Sequence, residues 1–387
     1  MTSVTRSVAC AFALVAIAGC AVIHRPPATI ASLTAEVPAI RSAERATVDT
    51  IVARLARRAI ARGDRTLDIL LLSGGGQKGA YGAGFLRGWQ SRTGRTIPQF
   101  DLVTGISTGA LQAPFALLGT AAAFDTLSSL YREGANRIAP SVDLFFWLRH
   151  TGGVLKTGQY KATIAQVYDD RMWNSLRQPF DENRQVVIGT TDYDLGVTRT
   201  WDFAAALAGG GGARVHTLLL ASTAVPTLFP PVILDGHVHA DGGVIANLLP
   251  VLGFDDYRAL AAGIAGSGMR GPVTVRLWVI MNTLVEPAPF VTDPASRETI
   301  SGRTVDLLFT GQQPQMLVRL GELARAVTGN VPGLRMELHA TMIPQELTAD
   351  PAAKSLFNRD WMVRLEQLGY ERARGDKMWD RVTSGPP

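Results

Sequence analysis

The sequence predicts an α/β protein of three layers, with a central mostly parallel sheet covered by helices on both faces. Two observations carry that expectation. Short, nearly continuous apolar runs end in glycine or turn residues, as strands buried on both faces do, and stretches of helical periodicity lie between them. Of 387 residues, 47% are apolar and 18% charged, which suits a sizeable core and excludes a disordered chain. The formal net charge is +5 with no long basic run, compatible with an anionic surface but selecting none. Without zinc-finger spacing or an RNA-binding aromatic signature, nucleic acid is not expected as a partner.

Taken in order, residues 1–19 have the form of an export signal. Arg6 precedes an apolar stretch over 8–18, too short to span a bilayer, which closes on Ile17-Ala18-Gly19-Cys20. This resembles the bacterial lipoprotein signal. The resemblance implies that Cys20 becomes the lipidated first residue and that the protein is held in the cell envelope, at the outer membrane. Cys10 and Cys20 are the two cysteines, so neither a disulfide nor a cysteine nucleophile is expected in the folded part. Residues 20–41, aperiodic and with three prolines, read as a tether. Over 42–64, Val48, Ile51, Val52, Leu55 and Ala59 recur at helical spacing. Arg54, Arg57, Arg58 and Arg62 then form a solvated basic face or meet anionic lipid.

The main domain is expected over 65–290. Strands are predicted at 67–72, 100–104, 186–189, 215–220 and 273–281, and the four glycines at 209–212 read as a flexible loop. The aromatic segment 143–148 is expected in the core. Residues 291–387 read as a helical extension packed on the same domain, with helices near 314–327 and 352–370. No repeat at a solenoid period is present.

Three segments can carry chemistry. Gly74, Gly75 and Gly76, with Lys78 and Gly79, follow the first strand and precede a helical pattern. They match a dinucleotide fingerprint formally but lack its downstream acidic residue, and no Gly-Lys-Ser/Thr makes a P-loop. Glycines at a strand-to-helix turn can instead offer backbone N–H groups to an oxyanion. Gly105-Ile106-Ser107-Thr108-Gly109 follows the second strand and precedes a helix, the context of a nucleophile elbow, which makes Ser107 the candidate nucleophile. A serine needs a base. Asp241, followed by Gly242 and Gly243 at a predicted strand end, supplies a candidate.

In this order the three segments resemble the patatin-like phospholipase family. Residues 221–226, Phe229-Pro230-Pro231, Asn247 and Pro250 are similar to another block of that family, and the resemblance covers roughly 67–250. It implies a patatin-like fold and a serine lipid acyl hydrolase working through a Ser107–Asp241 dyad. The N–H groups of Gly74, Gly75 and Gly76 would form the oxyanion hole, an acyl-enzyme would form, and neither cofactor nor metal would be required. The substrate is a phospholipid or other acyl lipid, with the membrane reached through the N-terminal anchor. Lys78 stands where the family usually has arginine, which keeps the charge but loses a bidentate fork.

Other readings stay open. A Ser107–Asp241–His339 triad would follow the chain order of α/β-hydrolases. His237, His239 and Asp241 alternate along a strand and could ligate zinc. An acyltransferase would use the same acyl-serine, and a non-catalytic lipid-binding lipoprotein would keep the fold without turnover.

Overall fold

The computed structural model describes residues 23, 25–94, 97–133, 152–284, 286–287, 289–349 and 357–380. Cys10, Cys20, His24, His150 and the aromatic segment 143–148 lie outside them.

Helix α1 spans Ile30–Arg62, twelve residues earlier than the sequence suggests, so most of the expected tether is helical. A capping box starts it: Thr29 Oγ1 accepts from the Ser32 N–H at 3.1 Å, and Ser32 Oγ accepts from the Thr29 N–H at 3.0 Å. Its first turns are mostly exposed, so they carry no apolar stripe to read. Ion pairs hold them instead, Glu36 to His237 at 2.9 Å, Arg199 to Glu44 at 2.8 Å and Arg45 to Asp256 at 2.7 Å. Farther along, Ile51, Val52, Leu55, Ala56 and Ala59 are buried, as the periodicity predicts. The arginines of this stretch are not a free basic face. Arg54 pairs with Asp202 at 2.7 Å, Arg57 reaches Asn183 at 3.0 Å, Arg58 meets Asp101 at 2.9 Å, and Arg62 bridges Asp64, Asp68 and Asp101.

Strand β1 (Thr66–Leu72) leads through a 3-10 turn, Gly76–Lys78, into α2 (Gly79–Gln90). Strand β2 (Leu102–Ile106) is followed by α3 (Thr108–Leu118) and α4 (Ala121–Glu133). After α5 (Gly158–Val167) and α6 (Asp170–Asp181) come β3 (Gln185–Asp192) and β4 (Val197–Asp202). Helix α7 (Phe203–Ser222) replaces both the expected glycine loop and the expected strand at 215–220. Its buried positions Val215, Leu218, Leu219 and Ser222 fall at helical spacing, which a short apolar run cannot reveal. The glycines leave one trace, a break at Gly211 with φ 61° and ψ −162°.

Strands β5 (Val232–Leu234) and β6 (His237–Asp241) form a hairpin, and α8 (Phe254–Ala265) precedes β7 (Val273–Met281). Then come α9 (Arg297–Thr310), α10 (Gln313–Asn330), β8 (Leu334–Met342) and α11 (Arg359–Arg374). The C-terminal part is therefore not purely helical, because β8 completes the sheet.

Strand order is β5-β6-β3-β2-β1-β7-β8, with β4 also paired to β3. The β3-β2-β1-β7-β8 portion is parallel, whereas β4, β5 and β6 are joined antiparallel. Leu67, Ile69 and Leu71 of β1 face a core shared with α1, α8 and α10, while Leu70 and Leu72 face a second core under α2, α3, α4 and α7. The chain is thus the three-layered α/β protein its sequence predicts. In the second layer α11 lies so close on α2 that a Cβ at Gly84 would collide with the Glu366 carbonyl, and one at Gly369 with that of Tyr81. Glu366, fully buried, accepts from Arg87 at 2.9 Å and from Ser128 at 2.6 Å across the same junction.

Candidate active site

The parallel register sets the site. Ile106, the last residue of β2, pairs with Gly189 of β3, and the next residue of β3, Thr190, pairs with Asp241 of β6. Because β4 takes the opposite edge of β3, β2 and β6 follow one another along the same edge, and Ser107 and Asp241 meet there although 134 positions separate them in sequence. The glycine turn after β1 adjoins them because β1 is the other neighbour of β2.

Ser107 occupies the turn between β2 and α3 with φ 52° and ψ −121°, a conformation that costs a residue with a side chain on the order of 1–3 kcal/mol. Close packing fixes it. A Cβ at Gly105 would collide with the Gly109 carbonyl, and one at Gly109 with the Leu72 carbonyl. The Ser107 N–H donates to Ser222 Oγ at 3.1 Å, and that hydroxyl in turn donates to the Gly189 carbonyl at 2.7 Å. Ser222 thus clamps the elbow to β3. Sequence reading placed Ser222 inside a family block without giving it a task.

Asp241 is fully buried at the end of β6. Its Oδ1 accepts from the Gly243 N–H at 2.8 Å, and its own N–H donates to the Ala224 carbonyl at 2.9 Å. Burial pushes the carboxyl from its ordinary value up to about 7, while the Ser107 hydroxyl facing it and the Gly243 N–H pull it down. Its second oxygen, Oδ2, is buried without a close hydrogen-bond partner among the described residues. The two side chains face each other in a loose pairing that a short hydrogen bond has not closed, as in many unliganded sites.

The glycine turn needs one correction. The Gly74 N–H donates to the Asn247 carbonyl at 3.1 Å, so it is not free for an oxyanion. Gly75 and Gly76 line the cavity beside Ser107 and are the two amides left for that role. Asn282, just beyond β7, holds the turn from beneath. Its N–H donates to Ser73 Oγ at 2.8 Å, its Nδ2 to the Ser73 carbonyl at 2.9 Å, and its Oδ1 accepts from the Gly82 N–H at 3.1 Å. The only sequence signal for Asn282 is a polar residue directly after a long apolar strand. Lys78 lines the same cavity, where burial lowers its ammonium from the ordinary value and Asp306 partly restores it. Gly79 packs under Thr108 and Tyr131, whose hydroxyls are hydrogen-bonded to each other, and Gly242 and Gly243 form the turn after Asp241.

The cavity at Ser107 has a volume of about 280 Å³ and a mainly apolar wall, including Leu111, Leu127, Ile164, Val167, Leu228 and Phe229. Three tyrosine hydroxyls in that wall are already occupied, Tyr131 by Thr108, Tyr160 by Thr223 at 2.8 Å and Tyr168 by the Leu111 carbonyl at 2.5 Å. With its phenols partnered, the wall presents hydrocarbon.

The histidines lie elsewhere. His339 stacks on Trp278 at 4.3 Å in β8, three strand spacings from the line that β2 and β6 share, roughly 14 Å at ~4.8 Å each. No Ser107–Asp241–His339 triad forms. His237 and His239 share a face of β6 but turn to Asp192, with His237 Nδ1 at 3.0 Å and His239 Nε2 at 3.9 Å. Burial works to lower the His237 imidazole, yet Glu36 and Asp192 raise it overall, whereas burial brings His239 down to about 4. Asp241 is not in that group, so the zinc reading of His237, His239 and Asp241 fails on geometry. Asp192, Asp194 and His237 do bring ligand atoms within 4.8 Å of one another, but Arg25 pairs with Asp194 at 2.7 Å and Arg199 with Asp192 at 3.5 Å. Two guanidiniums already balance these carboxylates.

A model of the family described as patatin-like phospholipase matches residues 70–255, which hold the glycine turn, the elbow and Asp241. Residues 70–255 are a patatin-like phospholipase domain. A curated relative, the cGAMP-activated phospholipase of Pseudomonas aeruginosa, is 29% identical over 209 residues, covering 51% of this chain. The alignment spans 58% of that relative's length. Among solved structures, VipD from Legionella pneumophila aligns over 80% of this chain and 66% of its own, with 12% identity and a TM-score of 0.34, a likeness too slight to carry an argument.

Proposed function

We propose that this protein is a lipid acyl hydrolase, a phospholipase A- or lysophospholipase-like esterase working through a Ser107–Asp241 dyad. The observation that carries the reading is a fully buried carboxyl with its pKa raised to about 7, facing a strained serine at an apolar cavity. An aspartate with an ordinary pKa is a poor proton acceptor, and one near neutrality is matched to the task.

Ser107 Oγ attacks the ester carbonyl as Asp241 takes its proton. The tetrahedral oxyanion is held by the N–H groups of Gly75 and Gly76. Collapse expels the alcohol, which takes the proton back from Asp241, and leaves an acyl chain on Ser107 with its tail in the cavity. Water, deprotonated by Asp241, then releases the fatty acid and restores both side chains. No metal or cofactor has a part in this scheme.

The test is mass spectrometry of the fluorophosphonate-treated protein. The adduct should sit on Ser107 and disappear, with ester hydrolysis, in Ser107→Ala. Labelling at another residue would reject the assignment. We also propose that Cys20 carries lipid and anchors the domain in the cell envelope, at the outer membrane. Metabolic palmitate labelling that persists in Cys20→Ala would rule this out.

A further inference from the structure

Beyond β7 the chain carries an apolar surface that no described residue covers. Of the fourteen residues of α9, Thr310 alone is buried. Ile300 and Leu307, seven positions apart and so on one side of the helix, are 44% and 41% exposed, and Phe290 and Val291 just upstream are 51% and 96% exposed. Asp306, Phe309 and Thr310 of the same helix enter the wall of the Ser107 cavity. The Phe309 ring stands directly over Gly243, and its carbonyl accepts from Asn247 Nδ2 at 3.0 Å. Arg303 ties the upstream segment to the helix, with its guanidinium 5.8 Å from the Phe290 ring centre and 2.7 Å from Asp306.

We infer that Phe290, Val291, Ile300 and Leu307 form a docking face for the lipid surface from which the substrate's acyl chain is drawn. The inference rests on the hydrolase reading above. Two arguments choose a lipid surface over a second copy of the chain. The four side chains together expose on the order of 400 Å², about half of the ~800 Å² per partner of a stable protein interface. In addition, docking face and cavity wall belong to one helix, so a bilayer seated on the outer side lies about one helix diameter, ~10 Å, from the cavity. Acidic and basic residues alternate along this stretch (Asp293, Arg297, Glu298, Arg303, Asp306), which gives no preference for anionic headgroups and makes phosphatidylcholine the surface to use.

The test reads insertion independently of any lipid on Cys20. In the full chain carrying Cys10→Ala and Cys20→Ala, a single new thiol is introduced by Val291→Cys or, as control on exposed α8, by Asp255→Cys, and labelled with an environment-sensitive nitrobenzoxadiazole dye. With phosphatidylcholine vesicles, emission from position 291 should shift to the blue and be quenched by brominated phosphatidylcholine, while position 255 stays unchanged. Unchanged emission at 291 overturns the inference. A second arm uses the double variant Phe290→Ser/Val291→Ser. Its hydrolysis of vesicle phosphatidylcholine should fall about tenfold or more, with turnover of a soluble short-chain ester as in the parent. Equal rates on vesicles would overturn the docking face. If the parent hydrolyses neither substrate, the hydrolase reading fails, and the fluorescence result alone decides the docking face.

Discussion

Replacing Asp241 by asparagine should abolish turnover and at the same time stabilise the protein, by an amount set by pH. Burial raises this carboxyl from 3.8 to about 7. Between those two values the folded chain keeps a proton that the unfolded chain has released, so stability falls as pH rises through the window and the loss is complete above about 7. At ~1.4 kcal/mol per pH unit the total is on the order of 4 kcal/mol. Asparagine has no such penalty, and its side-chain oxygen can still accept from the Gly243 N–H. Urea denaturation of parent and variant should therefore differ little at pH 4.5, with the variant more stable by several kcal/mol at pH 8.5. Every other titrating group is common to the two proteins and cancels in the difference. Stability curves that run parallel across this range would mean that the carboxyl is not desolvated as described, and the argument for its basicity would fall with it.

Three further outcomes follow from the same geometry. The value of kcat/KM for a soluble ester should climb with pH and level off above about 7, because Asp241 accepts a proton only when ionised; a profile already flat at pH 5 would contradict the base assignment. Gly75→Ala should cost roughly 1–3 kcal/mol of stability and at least a hundredfold in kcat, since its Cβ would strike the Asn282 carbonyl and displace an oxyanion donor; denaturation and initial rates measure both. Ser222→Ala should leave the Ser107 N–H and the Gly189 carbonyl without their shared hydroxyl. The expected result is about tenfold slower fluorophosphonate labelling of Ser107 with little change in KM, and an unchanged labelling rate would remove Ser222 from the positioning of the elbow.

What could be read in the sequence was whatever leaves a local pattern. Residues 67–72 and 273–281 are strands because runs of large apolar side chains buried on both faces have no competing reading once glycine or polar residues end them. The strand–turn–helix context of Ser107 is equally local. Residues 30–41 were illegible because an exposed helix has no apolar stripe, and the ion pair of Glu36 depends on His237, far along the chain. The run at 215–220, Val-His-Thr-Leu-Leu-Leu, misled because so short a stretch with four apolar residues fits either period. At the site, the pairing of Ser107 with Asp241 came through resemblance. The loss of the Gly74 amide to Asn247, the Ser222 clamp and the Asn282 support are long-range contacts of single polar groups, which no spacing encodes.

The junction of α2 with α11 bears on how this protein can be handled. Gly84 and Gly369 bring the two backbones together with no side chain between them, and β8 borders β7 along nine residue pairs. An excised fragment ending near residue 290 would keep every motif of the family and yet lose the cover of the helix that begins at the oxyanion turn, along with one margin of the sheet. Such a fragment should be recovered as insoluble aggregate rather than as a minimal enzyme. The stretch by which a family is recognised and the stretch that folds are different lengths of the same chain.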